Sequence, residues 1–247
     1  MEIKILGTQS PYNTDYHNCP AFLITDSENK ILLDCGSGSH RMLKYPDDLN
    51  NLTVIITHLH RDHYNDLFNI QYASLVFHGQ KRVEKPVMVY MPQTPQTIYD
   101  DIATEQNAFC TYAAINEKTV LNIGNLKIEF RAVIHPMETY AVKISDGKSV
   151  FVYTSDTSYA SKDIIIEFTK DADILLSEAS LLVSDGFPEI NSHLTAIQAA
   201  TIANEANVKK LIITHFWPEK SPQQFVDEAK EVFCETFAAE EGDIYKI

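Results

Sequence analysis

No apolar stretch of this 247-residue chain approaches the ~20 residues needed to cross a bilayer as a helix, so a spanning segment of that kind is excluded. The opening residues Glu2-Ile3-Lys4-Ile5-Leu6 alternate apolar and polar, so a strand is expected there rather than a signal peptide. Cysteine is scarce and scattered, and Cys19, Cys35, Cys110 and Cys234 make no C-x-x-C pair. That excludes a zinc knuckle and a disulfide framework, and reduced, mostly buried thiols in a cytoplasmic protein are expected. Basic residues are outnumbered, 20 Lys plus Arg against 34 Asp plus Glu, for a formal charge of −14. A protein that grips long nucleic acid needs clustered basic surface to displace counterions. Here Lys81-Arg82 and Lys209-Lys210 are the nearest approach to a cluster. Long nucleic acid is disfavoured as a partner, and a small anionic substrate is favoured. No internal repeat, low-complexity tract or linker divides the chain, which is expected to form one domain over 1–247, a routine size for layered α/β folds.

The chain is rich instead in potential metal ligands. Thr57-His58-Leu59-His60-Arg61-Asp62-His63 follows the apolar run Leu52-Thr53-Val54-Ile55-Ile56 and packs four ligating side chains into the spacing His-x-His-x-Asp-His. Imidazole suits zinc, and a carboxylate adds a hard, charged oxygen. A strand end running into a tight loop can aim His58 and His60 at one ion, then turn so that Asp62 and His63 face a second.

Short apolar runs alternate with amphipathic ones. Strands are expected at 2–6, 20–25, 30–34, 52–57, 86–91, 126–134, 138–144, 149–154, 173–177, 209–214 and 243–247. Helices are expected at 38–45, 65–78, 95–107, 160–169, 194–206 and 222–236. The aromatics Tyr64, Phe68, Tyr72 and Phe77 are spaced as a helix's core face, and Asp146-Gly147 signals a hairpin turn. Ile55-Ile56-Thr57-His58 recurs as Ile212-Ile213-Thr214-His215, a hint of doubled halves.

Loops at strand ends carry the chemistry of α/β folds. His135 stands at such an end before Pro136, Asp156 follows Val150-Phe151-Val152-Tyr153-Thr154, and His215 follows Leu211-Ile212-Ile213-Thr214. Singly, each is as readily a turn or capping residue. Together with the first motif they supply five histidines and two carboxylates, about what two ions need. Asp156 is suited to bridge, because two cations would hold both of its oxygens ionised.

The order His58, His60, Asp62, His63, His135, Asp156, His215 resembles the metallo-β-lactamase superfamily nearly end to end, from Leu33-Asp34-Cys35-Gly36 to Asp243-Ile244-Tyr245. Within it the chain is most similar to the RNase Z branch of phosphodiesterases. Leu175-Leu176-Ser177-Glu178-Ala179-Ser180 is similar to that branch's H-E-A-T stretch, and His193-Leu194-Thr195-Ala196 to its H-S-T motif. Glu228-Ala229-Lys230 is similar to its closing helix. Ser155-Asp156-Thr157-Ser158-Tyr159 departs from the G-D-T-R-P of tRNA-processing members, and the short span from His135 to Asp156 leaves no room for their tRNA-gripping arm.

The resemblance implies a four-layer αββα sandwich with a dinuclear site at one edge of its sheets. It implies His58, His60 and His135 on one ion, Asp62, His63 and His215 on the other, and Asp156 between. Zinc is expected first, with manganese or iron as alternatives, and a homodimer is the expected assembly. Two ions about 3.5–4 Å apart lower the pKa of water from 15.7 to roughly 7 and polarise a phosphoryl oxygen. On this reading His193 is the general acid for the leaving group, Glu178 orients it, and Asp62 accepts the proton of the attacking water. The expected activity is hydrolysis of a small phosphodiester or cyclic phosphate. The alternatives are a lactonase or thioester hydrolase, a tRNA 3′-end endonuclease, and a non-catalytic binding protein, against which the intact ligand set argues.

Overall fold

Several strands of this chain carry unbroken apolar runs because both of their faces are covered. Neighbouring residues of a strand point to opposite sides of the sheet, and in β3 (Asn29–Leu33) Ile31 and Leu33 enter one core while Leu32 enters another. The computed structural model describes residues 1–104, 109–186 and 192–247.

The first sheet comprises β1 (Glu2–Gly7), β2 (Ala21–Asp26), β3, β4 (Leu52–Ile55), β5 (Val87–Met91), β6 (Cys110–Ala114) and β14 (Ile244–Lys246). The second comprises β7 (Val120–Ile123), β8 (Leu126–Val133), β9 (Thr139–Ser145), β10 (Val150–Tyr153), β11 (Ile174–Glu178), β12 (Leu211–Thr214) and β13 (Thr236–Ala238). Their orders are β14-β1-β2-β3-β4-β5-β6 and β13-β12-β11-β10-β9-β8-β7. A core of large side chains lies between the sheets, with Ile5, Phe22 and Leu33 from one and Phe130, Phe151 and Leu176 from the other. The outer face of the first sheet is covered by α2 (Leu67–Gly79) and α3 (Gln96–Thr104). That of the second is covered by α4 (Lys162–Thr169), α5 (Ala196–Glu205) and α6 (Pro222–Lys230). The result is the expected αββα sandwich, each fully buried Leu or Ile contributing about 1.5–3 kcal/mol.

The sheets repeat one pattern of pairing. From its β14 end the first sheet is antiparallel through β3 and parallel from β3 to β6. From its β7 end the second is antiparallel through β10 and parallel from β10 to β13. The halves are doubled in topology, but the shared Ile-Ile-Thr-His tetrapeptide does not mark the correspondence. It follows β4 in one sheet and ends β12 in the other, whereas the position matching β4 is β11.

All eleven expected strands are present, with ends shifted by a few residues. Three more were not expected. β7 forms a hairpin with β8 through Gly124-Asn125, where Gly124 takes φ +59°, a signal the sequence did carry. β6 is a half-exposed edge strand, and β13 has three residues, at the end of the helix expected over 222–236, where α6 stops at Lys230. The helix expected over 38–45 is a single turn, Ser39–Met42, because Tyr45 precedes Pro46 and Leu43 is already extended. The last positions of the helix expected over 95–107 lie outside the described residues. One helical turn, α1 (Arg61–Tyr64), was read as loop. Tyr72 is a correction: it is 64% exposed on α2, while Tyr64 is buried and Phe68 and Phe77 pack on the core. Cys234 is exposed, and the other three cysteines are buried and free. Among the described residues no helix is long and apolar enough to cross a membrane.

Candidate metal centre

The site lies where the parallel strands of both sheets end. β4 stops at Ile55, the chain bends at Thr57 and His58, and His60 is extended just before the next helical turn. At Arg61 the chain winds into α1, which swings Asp62 and His63 to a different direction. Gly36 makes the packing of that turn possible: a Cβ there would stand 2.1 Å from the Asp62 carbonyl oxygen and 2.5 Å from the Cys19 Cβ. The backbone N–H of Cys35 donates to the His63 carbonyl at 2.7 Å and fixes the same turn from the other side. Asp34, Ser155 and His215, at the ends of β3, β10 and β12, all adopt positive φ (+56°, +55° and +67°). Such conformations cost on the order of 1–3 kcal/mol each for non-glycine residues and persist only where surroundings impose them.

Two groups of ligand atoms result. His58 Nε2, His60 Nδ1 and His135 Nε2 converge, with separations of 3.0 and 3.1 Å about His60, and Asp156 Oδ2 stands 3.6 Å from His58 Nε2 and 3.9 Å from His135 Nε2. On the other side, His63 Nε2 and His215 Nε2 are 3.3 Å apart, with Asp62 Oδ2 at 3.6 and 3.7 Å from them. Asp156 turns its other oxygen this way, Oδ1 lying 3.4 Å from His63 and 3.1 Å from His215. Each oxygen of Asp156 thus belongs to one group, the placement expected of a bridge.

The remaining polar atoms around these groups fix which nitrogens carry protons. His63 Nδ1 donates to Asp34 Oδ2 at 2.8 Å and His135 Nδ1 to the Ser192 carbonyl at 2.9 Å. His58 Nδ1 meets the hydroxyls of Thr57 and Ser155 at 3.2 and 3.4 Å. His215 Nδ1 donates to Ser180 Oγ at 2.7 Å, and that hydroxyl lies 3.0 Å from Glu178 Oε2. With these outer nitrogens engaged, the inner nitrogens of His58, His135, His63 and His215 crowd one another and need a proton or a metal ion among them. Asp156 Oδ1 is buried and meets only the ring nitrogens of His63 and His215, a second mark of a site built for positive charge. The donor set therefore fits metal ions.

Charge is divided unequally between the groups. Burial holds His58, His60 and His135 below the usual histidine range, so they are neutral donors. Burial also opposes charge on His63 and His215, but the carboxylates outweigh it. Asp156, Asp34 and Asp62 raise His63 well above the ordinary value, and Asp156 leads in raising His215 to about 10. Asp62 and Asp156 are pulled below the carboxylate range by these histidines despite burial. The field that holds protons on His63 and His215 is the field that would favour a cation in their place.

Beside both groups stands His193. Its Nδ1 donates to Glu178 Oε1 at 3.0 Å, and its ring stacks on His215 with centroids 5.3 Å apart. Burial disfavours its charge, yet Glu178 outweighs burial and raises its pKa above the ordinary value. Glu178, fully buried, also accepts from the Thr157 backbone N–H at 2.8 Å, which ties the Asp156 loop to the same carboxylate. A cavity of about 380 Å³ opens over His193 and His215.

All nine residues singled out from the sequence meet here. The sequence reading missed Asp34, which accepts from the Thr57 backbone N–H at 2.8 Å and Thr57 Oγ1 at 3.0 Å as well as from His63. Its place just after an apolar strand is the signal that flagged the histidines. It also missed Ser10, whose hydroxyl donates to Asp62 Oδ2 at 2.7 Å, and Ser180, and no sequence pattern marks Ser10. Asp34→Asn is expected to lower metal affinity by about 10–100-fold, the usual worth of such an outer contact. Competition with a chelator would measure it, and unchanged affinity would show that Asp34 serves only the turn.

The protein named probable metallo-hydrolase YhfI of Bacillus subtilis is 29% identical over 241 residues, covering 94% of each chain. Its crystal structure superposes with a TM-score of 0.92 over 99% of this chain and 98% of that one. Ribonuclease Z of Chlamydia trachomatis is 26% identical, covering 99% of this chain and 96% of the relative. A diphosphatase from the PhnP family, 16% identical, shares the fold with a TM-score of 0.74 over 100% of this chain and 97% of that one. Residues 29–216 match the model of the beta-lactamase superfamily domain, and the chain belongs to that family as a metal-dependent hydrolase.

Proposed function

We propose that this hydrolase is a phosphodiesterase for a small phosphodiester or cyclic phosphate, carrying two divalent ions, zinc foremost. His58, His60 and His135 would hold one ion and Asp62, His63 and His215 the other, with Asp156 shared. When bound, such a pair supplies an activated water at neutral pH and neutralises phosphoryl charge.

The chain's own residues do the rest. Asp62, held by Ser10, is placed to take the proton of the attacking water. His193 gives its Nδ1 proton to the hydrogen bond with Glu178, which leaves Nε2 for the departing oxygen. The carboxylate beneath keeps the ring protonated where an isolated histidine would begin to lose its charge. That pair is the observation that carries the proposal. A thioester's thiolate departs with little need of a proton, whereas an alkoxide leaving a phosphoryl centre gains from a positioned acid.

A small substrate is supported by length. The match to Ribonuclease Z spans 297 positions for a chain of 247 residues, so at least 50 positions are filled only in the relative. The formal charge of −14 also disfavours a long polyanion. The test is one panel: zinc- or manganese-loaded protein with bis-p-nitrophenyl phosphate, a 2′,3′-cyclic nucleotide, a lactone and a thioester. Turnover of the phosphoesters is expected. Preference for the lactone or thioester would replace the proposal with acyl hydrolysis.

A further inference from the structure

The cavity over His193 and His215 has a second end that hydrolysis itself does not use. Its walls there are mostly apolar, formed by Pro11, Leu181 and Trp217, and the rim carries Asp185 and Lys220. Trp217 is 40% exposed, and among the described residues no ring or cation stacks on it. The wall is nonetheless fixed. The Phe216 N–H donates to the Thr8 carbonyl at 2.9 Å, the Ser10 N–H to the Phe216 carbonyl at 3.1 Å, and the Lys220 N–H to the Trp217 carbonyl at 3.1 Å. On the rim, Lys220 is ion-paired to Asp185, whose other oxygen accepts from the Leu182 N–H at 2.8 Å.

We propose that this end of the cavity seats a nucleobase stacked on Trp217, making the substrate a nucleoside phosphodiester or nucleoside cyclic phosphate. The inference rests on the phosphoester chemistry proposed above and adds what is esterified. At about 380 Å³ the cavity is near the lower limit for ligand pockets, a size that suits one mononucleotide. A free indole face over a mostly apolar floor matches the π-face of a base. The ion pair offers a donor and an acceptor side by side, as a base edge does. Its charges cancel, and Lys220 is the one Lys or Arg among the described residues lining the cavity. A second phosphate at that end would meet Asp185, so the scissile group is the substrate's anion.

Trp217 is the one tryptophan of the chain, so its emission reports on this wall alone. Metal-loaded wild type is titrated with guanosine 3′-monophosphate and, separately, with ribose 5-phosphate. Saturable quenching by the nucleotide and none by the sugar phosphate is expected. In parallel, turnover of a 2′,3′-cyclic nucleotide is compared with that of 1-O-methylribose 2,3-cyclic phosphate. Trp217→Ala should cut the preference for the nucleotide by about 5- to 100-fold, the worth of one stacked base, and Trp217→Phe should keep most of it. Turnover of both esters with no quenching and an unaltered preference in Trp217→Ala would overturn the base seat while leaving the phosphodiesterase intact. Nucleotide quenching without turnover of any phosphodiester would support the seat and overturn the phosphodiesterase.

Discussion

Asp156→Ala is expected to retain at most one divalent ion per chain, against the two expected of carefully reconstituted wild type, and to lose more than about 10³-fold in activity. The magnitude follows from the residue's double duty. Outer contacts to metal ligands are worth about 10–100-fold in affinity, and Asp156 offers an oxygen to each ligand group directly, 3.1 and 3.4 Å from His215 and His63 and 3.6 Å from His58. Without it, two cations would face each other across histidines with no shared anion. Asp156→Asn separates charge from shape: the side chain still fills the buried site, but a neutral amide bridges poorly, so metal loss should persist. Elemental analysis of dialysed protein reads both variants. Two ions retained in Asp156→Ala, or one or fewer in reconstituted wild type, would refute the dinuclear reading, and a melting curve separates metal loss from unfolding.

The cluster of candidate ligands was legible because its logic is local. A histidine or aspartate just after a β-branched run sits at a strand end, and parallel strands bring their ends to one edge of a sheet. His58, Asp156 and His215 obeyed that rule, and His135 reaches the same edge because β8 and β10 both run antiparallel to β9 and so end together. The layered fold was implied by the family resemblance, with which the strand count agreed. What escaped depends on contacts across the chain. Ser10 reaches Asp62 only because the segment after β1 pairs with Phe216, more than 200 residues away in sequence. β13 is too short to show a period, and its place is set by pairing with β12. The Ile-Ile-Thr-His repeat points the other way: a correct sense that the halves are doubled, taken from a match between strands that do not correspond. Short identities at strand ends report the shared demands of a buried strand and a ligand at its tip.

His193→Ala should lower kcat by roughly 10²–10⁴-fold, the usual worth of general acid catalysis, with metal content unchanged. The second clause is strict, because His193 stacks on His215 and its Nδ1 lies 4.0 Å from Asp156 Oδ2, so a loss through displaced metal must be excluded by elemental analysis. The loss should depend on the leaving group. p-Nitrophenolate departs with little protonation, so bis-p-nitrophenyl phosphate should suffer less than a ribose or alkyl phosphodiester. Glu178 is tested through pH. Activity requires the proton on His193 and should fall as pH rises through that group's pKa, which lies above the ordinary histidine value because Glu178 outweighs burial. Glu178→Gln removes the favourable charge and leaves the burial, so the alkaline limb should move to lower pH. A carboxylate that only braced the Thr157 loop would lower activity without moving that limb. Equal losses of His193→Ala on good and poor leaving groups would remove His193 from the proton's path, and the phosphodiester reading would lose the observation that carries it.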